Sequence, residues 1–390
     1  MRSLTHLIIL QLTSVLAHVG IASGYPQLRE LYDSAVLASS FLAAVPLSAM
    51  LLGFIWGPIV RRIGLRASIL LAVSGWSLTF ALLGVFGAVP AAGIALRALH
   101  GVFDVAFVSL PLAVATRRLT DSGERRRFFG LFETSASIGA IIGPLTVGSL
   151  MLISLPWAFL ALAAVGPAYL LYAWPKLPRR AAATTAESAP AASESGGAAS
   201  GAPEAPRRRV APIVLVPSLY AISVLILISA SEAFVPEYVE TSLGAAWLGK
   251  LAVAVYEMLV IAGVMLKTRL SGYRPGAPLL TGLVFGIGFL VSQSEVFVLP
   301  LLALSAVGIG MSLTMSHEFA AHTVGANAEG GMTTYASLRI SGGIVGPYVA
   351  ALGFPLLLLP LAAVSLVSAP LLRWRPRAVR SEPIGETGSS

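Results

Sequence analysis

Apolar stretches of about twenty residues recur along nearly the whole chain, and each is long enough to cross a bilayer as a helix. They fall near 4–24, 34–60, 67–87, 90–115, 128–150 and 153–174, then near 210–231, 245–266, 276–293, 296–320, 332–353 and 355–372. Only 11% of the 390 residues are charged and 56% are hydrophobic, with a mean hydropathy of +0.83. A soluble domain carries about a quarter charged residues, so lipid rather than water is the expected solvent. The expected fold class is an all-α membrane protein with about twelve transmembrane helices. His6 and His18 interrupt the first apolar run, and no small-residue cleavage site followed by a soluble domain is evident, which argues against a cleaved signal peptide.

The net charge of +8 does not point to nucleic acid, because the basic residues sit in short clusters between apolar runs. Arg61, Arg62 and Arg66 follow the second run, Arg117, Arg118 and Arg125 to Arg127 the fourth, and Lys267, Arg269 and Arg274 the eighth. Arg373, Arg375, Arg377 and Arg380 follow the last. With an even number of spans all of these lie on one side, and the positive-inside rule places both termini in the cytoplasm of a multi-pass cell-membrane protein. The 10–11 loop, with His322 and Glu329 but no Lys or Arg, is an exception. Cysteine is absent, which removes disulfide, thiol and cysteine-metal chemistry.

Residues 175–209 are rich in Ala, Ser, Pro, Gly and Glu with basic ends, a composition too poor in apolar groups to offset the entropy of ordering. They read as a flexible cytoplasmic linker between a first six-helix bundle, 1–174, and a second, 210–373, followed by a disordered tail, 374–390. The halves echo each other: Gly139-x-x-x-Gly143-Pro144 and Gly342-Gly343-x-x-Gly346-Pro347 stand 203 residues apart, at the fifth run of each half. Parallel repeats of this kind are common in transporters.

The segment Gly57 to Arg66, the trio Arg97, His100 and Gly101, and the glycine series from Gly130 to Gly148 together resemble the major facilitator superfamily, most similar in its drug:proton antiporter branch. Gly57-Pro-Ile-Val-Arg61-Arg62-Ile-Gly64-Leu-Arg66 resembles the pattern G-x-L-x-D-R-x-G-R-R, with Arg61 in place of its carboxylate. The resemblance implies a gating or conformational role for Gly57, Arg62, Gly64 and Arg66. The reversed charge at Arg61 separates that residue from the family carboxylate's role at a helix N-terminus. Arg97-x-x-His100-Gly101 is similar to R-x-x-Q-G, whose arginine is associated with proton coupling. Gly130, Gly139, Gly143, Pro144 and Gly148 resemble the antiporter motif of helix five, with Val147 replacing one glycine, and Gly346 and Pro347 repeat its core in the second half.

Independently of that resemblance, charges lie inside the apolar runs. Arg97, His100 and Asp104 share one helical face at spacings of three and four residues. Charge at such depth is costly unless it faces a cavity or a partner, so this face is expected to line a central cavity, with Asp104 taking and releasing a proton. A static packing network is the structural alternative. Glu257, Arg339, Glu133 and His18 are further candidates for substrate binding or proton coupling. Glu232 and Glu295 read as vestibule charges, and His317, Glu318 and His322 as a polar helix end rather than a metal site. Pro46, Pro144 and Pro347 interrupt spans and either shape gates or fix curvature.

The expected function is secondary active transport: proton-coupled export of a small organic or amphipathic solute, by a protein active as a monomer. It needs no cofactor or metal, and its other partners are protons and membrane lipid. An uptake symporter, a uniporter and a non-transporting receptor or scaffold are the alternatives. No nucleophile–base arrangement or phosphate-binding loop marks an enzyme.

Overall fold

The computed structural model describes residues 4–119, 122–177, 211–269, 276–292, 294–324 and 335–373. The linker and tail expected at 175–209 and 374–390 fall almost wholly outside these residues. Every regular element among the described residues is helical: α1 Thr5–Ala22, α2 Tyr25–Tyr32, α3 Ala35–Leu52, α4 Trp56–Phe86, α5 Pro90–Arg118, α6 Ser122–Gly143, α7 Ser149–Ile153, α8 Leu155–Ala173, α9 Ala211–Leu243, α10 Ala246–Arg269, α11 Gly276–Leu290, α12 Glu295–Val324, α13 Gly342–Ala350 and α14 Leu358–Ser368. A helical turn at 335–340 leads into α13. Short 3₁₀ turns follow α3 and α14, at Gly53–Ile55 and Ala369–Arg373.

Among the described residues, eight helices are long and apolar enough to cross a membrane, nine if the bent pair α1/α2 is one span; Gly276–Leu290 and Leu358–Leu372 are shorter apolar helices. Large apolar side chains such as Leu171, Ile153 and Leu290 point outward, as lipid requires.

The breaks have local causes. Pro26, near the start of α2, lacks the amide that would continue the ladder from α1, and the axis turns by 54° at Ser23–Gly24. Asp33, at φ 47°, ends α2 in the left-handed region that Asp tolerates, and the Ser34 side chain caps α3 by accepting from the Leu37 amide at 3.2 Å. Gly64, at φ 81°, turns the chain inside α4; an added Cβ there would meet nothing, so the position is held by conformation rather than space. Pro144 opens a five-residue π-helical turn, Pro144–Gly148, between α6 and α7.

The paired glycine motifs are joints. A Cβ on Gly139 would stand 2.5 Å from the Leu12 carbonyl and one on Gly143 2.4 Å from the Leu16 carbonyl, so α6 lies backbone-to-backbone against α1. In the same way Gly342 faces the Ile222 carbonyl at 2.4 Å and Gly346 the Ala230 amide at 2.8 Å, which seats α13 on α9. Leu12, Leu16 and Gly20 thus correspond to Ile222, Ile226 and Ala230, each 210 positions on, while the facing glycines are 203 apart. The repeat read in the sequence is also a repeat of packing. Other pairs are α4 with α8, α3 with α5, α10 with α12 and α11 with α14, and the regions before and after the linker meet mainly through α3 with α13 and α6 with α10.

Candidate substrate cavity

Between these two regions lies a cavity of about 190 Å³. Helix α1 supplies Gln11, Ser14 and His18, α5 supplies Asp104, and α6 supplies Glu133. Beyond the linker come Glu232 from α9, Glu257 from α10 and Arg339 from the turn before α13. Most of the remaining lining is apolar, including Val45, Val105, Ile228 and Val260.

Asp104 is the anchored group. Ser14 Oγ donates to its Oδ2 at 2.8 Å and Trp76 Nε1 to its Oδ1 at 3.0 Å. His100 Nε2 lies 3.6 Å from Oδ1. The imidazole sits in an aromatic box, 4.3 Å from Phe80 and 5.5 Å from Trp76 between ring centroids, with Thr79 Oγ1 3.4 Å from its Nδ1. Arg97 shares the helical face of Asp104 but not the cavity. It is fully buried against Phe41, 5.2 Å from the ring centroid, and its side-chain nitrogens have no hydrogen-bond partner among the described residues.

The remaining charges divide by depth. Arg339 and Glu133 approach to 3.7 Å, an ion pair that links the two regions across the cavity wall. Glu232 differs from its vestibule reading: α9 runs on eleven residues to Leu243, so Glu232 is mid-helix, 5% exposed, and lines the cavity with Glu257. Lys250, unremarked in the sequence beyond its place in the eighth run, is buried, and its Nζ donates to the Ser23 carbonyl and, at 2.8 Å, to Gln27 Oε1.

That contact belongs to a set that joins the regions before and after the linker at the α2 end of the bundle. Arg29 pairs with Glu237, Gln27 Nε2 reaches Glu240 at 3.4 Å, and Ser39 Oγ donates to the Pro347 carbonyl at 2.9 Å. Of the motif residues, Gly57 and Arg62 are exposed and Arg66 stacks over Trp174 at 3.7 Å. Gly130 lies within α6, and Gly148 packs on Ser23. Pro46 abuts Gly343 across the α3–α13 contact. The side chains of Arg61, Glu295, His317, Glu318 and His322 lie outside the described set. Among the described residues, no three His, Asp or Glu side chains are placed to hold a metal.

The sequence model for the Major Facilitator Superfamily matches residues 7–347. The chain belongs to that superfamily. A comparison with curated protein sequences gives no match. The superfamily fold is similar to that of a bacterial homolog of the human lysosomal transporter Spinster, inward-facing and unoccupied, with TM-score 0.63 and 14% identity over 95% of this chain and 94% of that one. An inward-facing, occupied structure gives TM-score 0.63 and 13% identity over 96% and 98%. A D-xylose–proton symporter gives TM-score 0.69 and 12% identity over 95% and 96%. As a Major Facilitator Superfamily member the protein is a multi-pass membrane protein and a secondary active transporter of a small solute.

Proposed function

We propose that this transporter exports a small organic, amphipathic solute in exchange for protons, by alternating access. In this reading twelve spans form two six-helix bundles, with the α1/α2 pair, the α6/α7 pair, the 335–350 segment, α11 and α14 each counted as one. The linker and both termini are cytoplasmic, which the basic clusters after the second, fourth, eighth and last spans support. The α2 end is then extracytoplasmic, and the contacts of Arg29, Gln27, Lys250 and Ser39 hold it shut. Opening toward the cytoplasm requires the Glu133–Arg339 pair to part.

The observation that carries the reading is Asp104, a carboxylate fixed by Ser14 and Trp76 in the wall of a cavity shared by both bundles. A proton on Asp104 changes its hydrogen bonding to α1 and α4 at once, so protonation biases the arrangement of helices around the solute. Coupling follows when proton and solute differ in affinity for the two states. At about 190 Å³ the cavity is smaller than the several hundred Å³ usual for drug-sized ligands, so a large occupant requires the bundles to separate.

The test is flux in proteoliposomes under an imposed pH gradient, with solutes first selected by thermal stabilisation of the purified protein. Asp104→Asn is expected to abolish pH-driven accumulation while leaving downhill exchange. Coupling that survives Asp104→Asn removes Asp104 from the mechanism, and absence of flux for every stabilising solute favours a receptor or scaffold. Uptake is the alternative direction, since one protein of similar fold is a D-xylose–proton symporter. The sign of net flux under a defined gradient decides between them.

A further inference from the structure

Four carboxylates line the cavity, and two have partners. Asp104 accepts from Ser14 and Trp76, and Glu133 faces Arg339. Glu232 and Glu257 differ. They are 5% and 4% exposed, and among the described residues neither lies within ion-pair distance of a basic side chain. Among the described residues Glu257 Oε1 has no hydrogen-bond partner. Both stand mid-helix, far from the helix N-termini that stabilise anions, and both point into the same space. Like charges withdrawn from water are costly unless a counter-charge joins them or a proton neutralises one of them.

The cationic side chains do not answer that need. Lys250 is engaged with Ser23 and Gln27, Arg339 lies at Glu133, and Arg97 is packed against Phe41 outside the cavity. An anionic solute therefore meets four carboxylates, against one guanidinium already at Glu133 and the single imidazole of His18. Around the glutamates the wall is hydrocarbon, supplied by Leu225, Ile228, Val260 and Leu313.

We propose that Glu232 and Glu257 together bind the positively charged head of a small organic monocation, whose hydrocarbon part rests on Leu225, Ile228, Val260 and Leu313. The inference rests on the central cavity being the solute site and adds the class of solute. It also separates two duties: Asp104 on the first bundle carries the proton, and the glutamate pair on the second carries the cation.

Equilibrium binding of radiolabelled tetraethylammonium to the purified full-length protein, with no gradient, tests this directly. The probe is permanently charged, so its own titration does not intrude. Saturable binding is expected, weakened roughly tenfold or more by Glu232→Gln or Glu257→Gln and less by Glu257→Asp. Thermal unfolding of each variant confirms a folded state. Three results would overturn the proposal: no saturable binding by folded wild type, wild-type affinity in the Glu232→Gln/Glu257→Gln double variant, or equal binding of hexanoate. Because no gradient is used, any of them leaves pH-driven flux through Asp104 standing, whereas loss of that flux with cation binding intact counts against coupling alone.

Discussion

Replacing Gly139 by Ala forces a methyl group into the α1–α6 joint. The new Cβ stands 2.5 Å from the Leu12 carbonyl oxygen and 2.9 Å from the Leu16 amide nitrogen, where ordinary contact begins at 3.4 Å. Both obstacles are backbone, so no side chain can swing aside, and α1 must retreat by about 0.9 Å, the difference between 3.4 and 2.5 Å. Overpacking of this kind costs about 1–3 kcal/mol. The retreat also draws Ser14, which lies between Leu12 and Leu16, away from the Asp104 oxygen it reaches at 2.8 Å. Thermal unfolding in detergent is expected to fall by several degrees, and pH-driven flux with it. Gly286→Ala is the control: nothing lies within 4 Å of its Cβ, and exchanging a helical glycine for alanine is worth at most about 1 kcal/mol in favour of the fold. A Gly139→Ala protein that melts with wild type, alongside an unchanged Gly286→Ala, would show that the joint has slack and the reasoning is wrong.

Two further outcomes concern the α2 end. Arg29→Glu places like charges beside Glu237 and is expected to lengthen spin-label distances between positions 36 and 243, with Glu237→Arg restoring them in the double variant; an unmoved distribution in the single variant refutes the clasp. Lys250→Met removes the donor to Ser23 and Gln27 but relieves a buried charge, so melting should shift by no more than about 1 kcal/mol while deuterium uptake over 20–30 rises. Uptake equal to wild type counts against a closing role for Lys250.

Much of this was legible because lipid imposes a coarse rule on composition. A span announces itself by length and apolarity, and a charge within it is conspicuous, so Asp104, Glu257, Glu133 and Arg339 stood out. The helical period put Arg97 and Asp104 on one face, but seven residues also separate them by about 10.5 Å along the axis. Spacing reports the face and is silent on where the cavity ends, which is why Arg97 meets Phe41 and not the cavity. Glu232 was misplaced because the end of α9 was set by hydropathy, although the helix continues through Pro236 to Leu243. The partners of Asp104 are 90 and 28 residues away in sequence, and only tertiary packing brings Ser14 and Trp76 to it. Lys250 carried a visible signal, a lone amine in an apolar run, but its role depends on a carbonyl exposed by the α1/α2 bend.

The glycine joints have a consequence for how such a fold stores its own identity. On one side of each contact stands a glycine; on the other stand carbonyl and amide groups, which every residue possesses, joined at Gly346 by the Ser229 hydroxyl and at Gly342 by Leu225 Cβ. Leu12, Leu16, Ile222 and Ile226 can therefore drift among apolar residues without disturbing the seam, and the seven-residue difference between offsets of 210 and 203 is absorbed by the segments between. An architecture jointed through main-chain atoms writes little of itself into residue identity, and chains agreeing at 12–14% of positions over about 95% of their length still share it.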